Sequence, residues 1–133
     1  TGAWTVKSEM PSARRSLSTS ALDGKIYALG GYVPGVPGHA GVVTVEVYDP
    51  ATDTWTTAPE MPSGRFGLRT SVVGGTIYVI GGMDKWIWTA YREVLEYEPK
   101  RARCRVRLRS VRSPGIGAGL VPSRPPVFGP IVA

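Results

Sequence analysis

The sequence predicts an all-β fold built from four-stranded antiparallel units, and three observations carry that prediction. Residues 10–31 and 61–82 match at 12 of 22 positions at a constant offset of 51 residues, which indicates an internal repeat. Each copy places a two-residue turn containing glycine between two strand-like segments, the arrangement of a β-hairpin. Glycine (17) and proline (12) together exceed a fifth of the 133 residues, which favours short strands over a helical bundle.

The strands follow in the same order in each copy. The first copy reads "RSLSTSAL", then Asp23-Gly24, then "KIYAL", and the second reads "GLRTSVV", then Gly74-Gly75, then "TIYVI". Because "IYAL" and "IYVI" are apolar at consecutive positions, both faces of each sheet must be covered. A third strand is predicted at "VTVEVYD" and "EVLEYE", and a fourth at "DTWTT". Four strands per unit, with each unit buried against the next, are typical of a propeller blade.

These motifs resemble the kelch repeat. The resemblance covers residues 4–99 and depends on Met-Pro-x-x-Arg, "IYxxGG", "VYDP" and a tryptophan five residues after that proline. It implies a fragment of a kelch-type β-propeller, with two to three four-stranded antiparallel blades and an irregular C-terminal tail. The expected division is the end of a preceding blade with a crossing segment (1–13), one blade (14–58), a second blade with three strands (59–99), and a basic Pro/Gly-rich tail (100–133). The start of that tail could supply a poor fourth strand, and the remainder is expected to be disordered.

Several recurring residues are predicted to have structural roles. Paired glycines end the second strand of each copy, where the backbone must approach a neighbour closely or adopt a positive φ. Recurring aromatic residues are expected to pack between blades. These structural positions are Gly30, Gly31, Gly81, Gly82, Tyr48, Tyr97 and Trp55.

Four arginines near the innermost strands are candidate binding residues. Arg14 and Arg65 recur before those strands, and the kelch resemblance implies that arginines at the rim of the channel bind acidic peptides. The alternative interpretation is that they hydrogen-bond to backbone carbonyls and fix the crossing between blades. Arg15 and Arg69 do not recur, so the repeat itself does not require them, although a solvated surface arginine is the alternative at both positions.

The loops between the second and third strands carry the other candidates, because binding residues commonly lie on loops of a rigid scaffold. Trp86 and Trp88 alternate and therefore share one face of an extended segment. They predict either an interaction hot spot or sugar-stacking platform, or packing against a neighbouring blade. The candidate loop residues are Tyr32, His39, Lys85, Trp86, Trp88, Tyr91 and Arg92.

The function expected from these features is a non-catalytic protein-interaction scaffold. A sugar-binding or sugar-modifying propeller enzyme is the alternative. His39 and Cys104, the single histidine and cysteine, cannot form the copper-radical site of some kelch-like propellers, and no serine has a nucleophile-elbow pattern. No cofactor or metal is expected. The expected partner is a protein or peptide, with a glycan as a second class.

Two or three blades cannot close a ring. We therefore expect the isolated chain to be marginally stable or to associate through exposed blade faces. The sequence starts at Thr1 without a methionine and is expected to be trimmed.

The net charge of +6 belongs to the tail. Residues 1–98 sum to −2 and residues 99–133 to +8, so nucleic-acid binding by the folded part is not expected. No run approaches the ~20 apolar residues of a membrane span. A single cysteine leaves the compartment open.

The arginine-rich tail has three interpretations. Arginine occupies every second position from Arg101 to Arg109, which suits a strand with one apolar and one basic face. Alternatively, the run is a basic arm for phosphate or acidic surfaces. The sequence favours a third interpretation, a frame error or aberrant terminus, because the repeat stops at Cys104, where a fourth-strand tryptophan is due. The first and third are compatible for residues 101–109.

Overall fold

The computed structural model describes residues 2–35, 41–84, 89–101 and 103–107. No helix in these ranges is long and apolar enough to cross a membrane. The secondary-structure elements of the described residues are β1 (Ser18–Leu22), β2 (Lys25–Leu29), β3 (Val45–Asp49), β4 (Thr54–Ala58), β5 (Arg69–Val73), β6 (Thr76–Ile80), β7 (Met83–Asp84), β8 (Thr89–Ala90), β9 (Val94–Glu98), a 3₁₀ turn (Pro99–Arg101) and β10 (Arg103–Arg107).

The described strands form two four-stranded sheets and one small hairpin. The first sheet has the order β1-β2-β3-β4 and the second has the order β10-β9-β6-β5, while β7 pairs with β8. All pairs are antiparallel. The predicted all-β fold with four-stranded antiparallel sheets is confirmed.

The hairpin turns have the backbone conformation that their residues predict. Asp23 and Gly24 have φ angles of 51° and 74°, and Gly74 and Gly75 have φ angles of 56° and 79°. Positive φ at both central positions gives a turn whose twist matches the flanking strands. The turns therefore fix the pairing of β1 with β2 and of β5 with β6.

The hydrophobic core lies between the two sheets and includes residues of the segment that joins them. Tyr27 and Tyr97 meet edge to face across it, with ring centroids 6.0 Å apart. Alternation along the strands directs one face of each sheet into this layer. The buried members are Tyr27, Leu29, Val45, Val47, Met61, Leu68, Ile77, Val79, Leu95 and Tyr97.

The strand β10 occupies the position of a fourth strand in the second sheet. Its backbone pairs with β9 so that Cys104 lies opposite Tyr97, and in the first sheet Trp55 lies opposite Tyr48. Cys104 therefore has the register position of the repeated tryptophan. Residues 108–133, on which the other interpretations of the tail depend, lie outside the described residues.

The N-terminal segment does not form a strand. Residues 2–10 pair with none of the described strands, and the Trp4 side chain is fully exposed. Trp4 is the repeat counterpart of Trp55, which lies on β4. The first sheet therefore begins at β1, after a segment whose Ser8 contacts the outer strand β4.

Candidate functional site

The Arg14 side chain is buried against the strand ends of its own sheet. Its Nη1 donates to the Gly30 carbonyl at 2.9 Å, and its Nη2 donates to the Ala28 carbonyl at 3.2 Å and to Glu46 Oε2 at 2.9 Å. Ser12 Oγ donates to the other oxygen of Glu46 at 2.8 Å. Burial lowers the pKa of Arg14, although the nearby Glu46 acts in the opposite direction.

Arg65 makes the corresponding contacts in the second sheet. Its Nη1 donates to the Gly81 carbonyl at 3.1 Å, and its Nη2 donates to Ser63 Oγ at 2.5 Å and forms an ion pair with Glu93. Its guanidinium carbon lies 4.0 Å from the centre of the Tyr91 ring, a cation–π distance. The Arg65 side chain is fully buried.

Both arginines therefore bind carbonyl and carboxylate oxygens of the sheet that follows them. This geometry agrees with the backbone-anchoring interpretation and leaves neither guanidinium directed at solvent. The two carboxylates come from different repeat positions, because Glu46 precedes Tyr48 by two residues and Glu93 precedes Tyr97 by four. The two repeat positions differ by two residues, so the two carboxylates lie on the same face of their sheets.

Three side chains at the loop end of the sheets form a second cluster, here called the rim cluster: Arg15, Tyr32 and Phe66. The guanidinium carbon of Arg15 lies 5.0 Å from the centre of the Tyr32 ring. The rings of Tyr32 and Phe66 meet edge to face at 5.9 Å. Arg15 is exposed, while both rings are half-buried.

Backbone pairs hold the rim cluster in place. The amides of Arg15 and Tyr32 each donate to the other residue's carbonyl, at 2.9 and 2.8 Å, and Phe66 and Met83 pair in the same way at 3.2 and 3.0 Å. These two bridges occupy equivalent repeat positions but carry different side chains. Phe66 was not among the sequence-predicted candidates, although its offset of 51 residues from Arg15 places it at the same rim position.

A third cluster fastens the N-terminal segment to the outer edge of the first sheet. The Ser8 amide and the Tyr48 hydroxyl both donate to Asp53 Oδ1, at 2.9 and 2.7 Å. Trp55 Nε1 donates to the Ser8 carbonyl at 3.0 Å, and its ring lies 5.1 Å from that of Tyr48. These contacts assign Trp55 to holding the lead-in segment against the sheet.

Known proteins share the repeat on which these clusters are built. The family described as the Kelch motif matches residues 13–62. The Kelch-like protein terF of Aspergillus terreus is 43% identical over 86 residues, which cover 62% of this chain and 19% of that protein. Human Kelch-like protein 33 is 37% identical over 99 residues, which cover 73% of this chain and 17% of that protein. This is a partial kelch-repeat chain.

The solved structure titled YjhT has the same fold. It aligns with a TM-score of 0.72 at 20% sequence identity, covering 79% of this chain and 41% of that one. The predicted kelch propeller fragment is thereby confirmed. The kelch chain spans about a fifth or less of the length of the curated relatives that it matches.

The kelch structure places the remaining predicted site residues in three groups. Tyr91 packs on Arg65 and its hydroxyl donates to the Gly64 carbonyl at 3.4 Å. Arg69 and Arg92 are exposed. The candidates outside the described residues are His39, Lys85, Trp86 and Trp88. Within the described part, no three His, Cys, Asp or Glu side chains are grouped so as to hold a metal ion.

The glycines predicted to be structural have positive φ angles in the kelch sheets. Gly30 and Gly31 have φ of 62° and 106°, and Gly81 and Gly82 have φ of 66° and 89°. An added Cβ on Gly30 would lie 2.5 Å from the Arg65 carbonyl oxygen. Conformation and close approach both therefore require glycine at this strand end.

We expect acid to loosen the lead-in cluster of the kelch chain through Asp53. The Ser8 amide, followed by the Tyr48 hydroxyl, lowers the pKa of Asp53, and the same hydrogen bond raises the pKa of Tyr48. A depressed carboxyl pKa stabilises the folded state above the unfolded value of about 3.9, and this contribution is lost as the pH falls through the folded pKa. Asp53→Asn should lower Tm at neutral pH and flatten its decline between pH 6 and 3.

Thermal melts of the wild type and Asp53→Asn across that pH range check the prediction. Glu60→Gln removes the same charge from an exposed position before the second sheet and serves as the matched control. If Tm falls equally with decreasing pH in the wild type and in Asp53→Asn, the assigned role of Asp53 is contradicted.

Proposed function

We propose that this kelch chain is a non-catalytic protein-interaction module that binds a peptide segment at the rim cluster. The observation that carries the proposal is the exposed Arg15 guanidinium beside the Tyr32 and Phe66 rings. Neither Arg15 nor Tyr32 is required by the repeat, whose second copy has Phe66 and Met83 at these positions. Residues that the fold does not demand are the better candidates for recognition.

The rim cluster has the chemistry to recognise an acidic residue next to an apolar one. Arginine offers a planar set of donors that matches a carboxylate. Stacking on the Tyr32 ring reduces the freedom that the Arg15 side chain would lose on binding. The half-buried rings supply amphipathic contact surface, which is typical of interaction hot spots.

The position of the rim cluster supports a broader binding surface on the same edge. Phe66 is bridged to Met83, the first residue of the β7–β8 hairpin. The predicted tryptophan loop connects the two strands of that hairpin. A peptide held by Arg15 and Phe66 is therefore bound beside the base of the loop that the sequence analysis selected.

The relatives support a protein partner. One of them, the mouse Influenza virus NS1A-binding protein homolog, is named for binding a protein and is 38% identical over 77 residues, which cover 58% of this chain and 11% of that protein. We extend this class of function to the present chain as part of the proposal. A sugar-binding role is the competing hypothesis that the experiment must separate.

A display library of short peptides, selected against the 133-residue chain, tests the proposal. We expect enrichment of sequences that combine Asp or Glu with an aromatic or branched aliphatic residue. Arg15→Glu should weaken the binding of a selected peptide at least tenfold, because the substitution reverses the charge that faces the carboxylate. Lys7→Glu makes the same charge change on the N-terminal segment and should leave the affinity within twofold.

A neutral glycan array, probed with the same variants, covers the competing hypothesis. Binding to neutral glycans that survives Arg15→Glu, together with no enrichment of acidic peptides, would overturn the proposal. Equal losses for Arg15→Glu and Lys7→Glu would show a general charge effect and would also overturn the rim assignment.

A further inference from the structure

The outer face of the second sheet carries apolar side chains whose repeat counterparts are buried in the first sheet. We call Tyr78, Ile80 and Val94 the open face. Their counterparts, Tyr27, Leu29 and Val45, are covered by the second sheet. Leu29 has 0% exposure, whereas Ile80 has 48%. Glu96, the counterpart of the buried Val47, and Arg69 lie on the same face of this sheet, opposite Tyr78 and Ile80. The open face therefore combines the apolar side chains of an inter-sheet contact with two charged ones.

The crossing segment and inner strands of the first sheet carry the complementary surface. We call Met10, Leu17 and Ile26 the matching face. Their counterparts in the second repeat of the same chain are Met61, Leu68 and Ile77. These three side chains are buried where they cover the first sheet. Ile77 has 0% exposure and Ile26 has 37%, while Met10 and Leu17 are half-buried.

The strand-end glycines show that the open face has room for such a partner. An added Cβ on Gly30 would meet the Arg65 carbonyl oxygen, Leu68 and Met61 within 3.1 Å. At its counterpart Gly81, the described residues place one atom within 4 Å of the added Cβ, the Tyr91 carbonyl oxygen at 3.9 Å. The space that the crossing segment fills beside Gly30 is open beside Gly81 in the described structure.

The two ends of the chain duplicate one strand of the repeat. Residues 3–7 and β10 are both counterparts of β4, at offsets of −51 and +49 residues. Trp4 and Val6 are exposed, whereas Trp55 on β4 is bonded to Ser8. The chain therefore carries two sheets and a duplicate of the outer strand. Because β10 already pairs with β9, residues 3–7 of a following molecule would stay outside the sheet.

We propose that molecules of this chain associate head to tail, with the open face of one molecule covered by the matching face of the next. The contact reproduces between molecules the packing that joins the two sheets within one molecule. It is heterologous, because two different surfaces meet, and such contacts form closed rings or growing chains. Apolar burial supplies the driving force.

A second molecule of this chain is the favoured partner of the open face, because the same sequence carries the matching face. The matching face has the same residue types at the same spacing as Met61, Leu68 and Ile77. Those three residues cover the face of the first sheet that is equivalent to the open face. This inference does not depend on the rim cluster, which lies at the loop end of the sheets. Peptide binding and self-association can therefore fail separately.

Two single variants, each blocking one surface, test the proposal. Ile80→Lys places a charge on the open face and Ile26→Lys places one on the matching face. Both side chains are partly exposed, so each variant should keep its fold, which circular dichroism and a thermal melt verify. We expect the 133-residue wild type to sediment as an assembly and each variant alone as a monomer of 14.2 kDa.

The mixture of the two variants is decisive. Ile80→Lys retains its matching face and Ile26→Lys retains its open face, so a 1:1 mixture should form a dimer that cannot grow further. Ala51→Lys adds the same charge at an exposed turn and should leave the wild-type assembly unchanged. Sedimentation velocity measures all five samples: the wild type, the two single variants, their mixture and Ala51→Lys.

Three results would overturn the proposal. A monomeric wild type would show that no second copy covers the open face. Folded single variants that assemble as the wild type does would place the contact elsewhere. A mixture that remains monomeric, although the wild type assembles and both single variants are monomers, would exclude the head-to-tail arrangement.

Discussion

Gly64→Ala is expected to destabilise the chain by about 3 kcal/mol or more, because the substitution forces two backbones apart. An added Cβ on Gly64 would overlap the Gly41 carbonyl oxygen, and one on Gly41 would overlap the Arg65 backbone. The Gly31 amide donates to the Arg65 carbonyl at 2.9 Å in the same place. The segment that enters the second sheet therefore crosses the first sheet with no space for a methyl group.

Urea denaturation checks this prediction, with the midpoint and slope measured for each variant. Gly64 does not have a positive φ, so the loss can be assigned to contact and not to backbone conformation. Gly2→Ala is the matched control, because no atom of the described residues lies within 4 Å of its added Cβ. Ala13, the counterpart of Gly64, is exposed at the first crossing. A cost for Gly64→Ala below about 1 kcal/mol would contradict the crossing geometry.

The strands and turns could be predicted because each depends on a local pattern. Asp23-Gly24 and Gly74-Gly75 supply the positive φ angles that the hairpins require. The repeat then aligned Trp55 with Cys104, and the observed register opposite Tyr48 and Tyr97 has the same alignment. Turn conformation and the fixed offset between the repeats were therefore sufficient to predict this part of the fold.

The charge partners could not be predicted, because they depend on distance in space and not on the repeat. Glu46 and Glu93 serve equivalent arginines from positions two residues apart in the repeat. Asp53 accepts the amide of Ser8, 45 residues earlier, a contact that the sequence around Asp53 does not indicate. Such contacts appear only when the crossing segment is placed on the sheet.

The rim cluster was partly predictable for a related reason. Arg15 and Tyr32 were selected because the repeat does not require the first and because the second begins a variable loop. Phe66 was not selected, because within its own repeat nothing distinguishes it as a binding residue. Its ring contacts Tyr32 of the first repeat. This contact joins two repeats, so the pattern within one repeat does not predict it.

Arg14→Met is expected to cost about 3–5 kcal/mol, because it leaves the Glu46 carboxylate buried without its cation. Both side chains of this pair are at most 4% exposed, so solvent cannot replace the lost partner. Such a loss is a large fraction of the stability of an ordinary domain. We expect Arg14→Met to unfold the first sheet at ambient temperature or to shift its urea midpoint strongly downward.

The repeat supplies the compensating change. Leu95 is the counterpart of Glu46 and is fully buried on the same face of the second sheet, so Glu46→Leu has a precedent in this molecule. The double variant Arg14→Met/Glu46→Leu should recover more than half of the loss, because no unpaired charge remains. Recovery should be incomplete, since the Gly30 and Ala28 carbonyls lose their donor.

A double-mutant cycle by urea denaturation separates these contributions. We expect a coupling free energy of at least about 2 kcal/mol between positions 14 and 46, because it combines the recovered half of the Arg14→Met loss with the cost of Glu46→Leu alone. Glu46→Leu alone supplies the fourth corner of the cycle and should also destabilise the chain, because it leaves the Arg14 guanidinium buried and unpaired. Strictly additive losses would show that Arg14 acts through the backbone carbonyls alone. The arginine would then fix the crossing without any need for a carboxylate, and the displaced positions of Glu46 and Glu93 would have no energetic meaning.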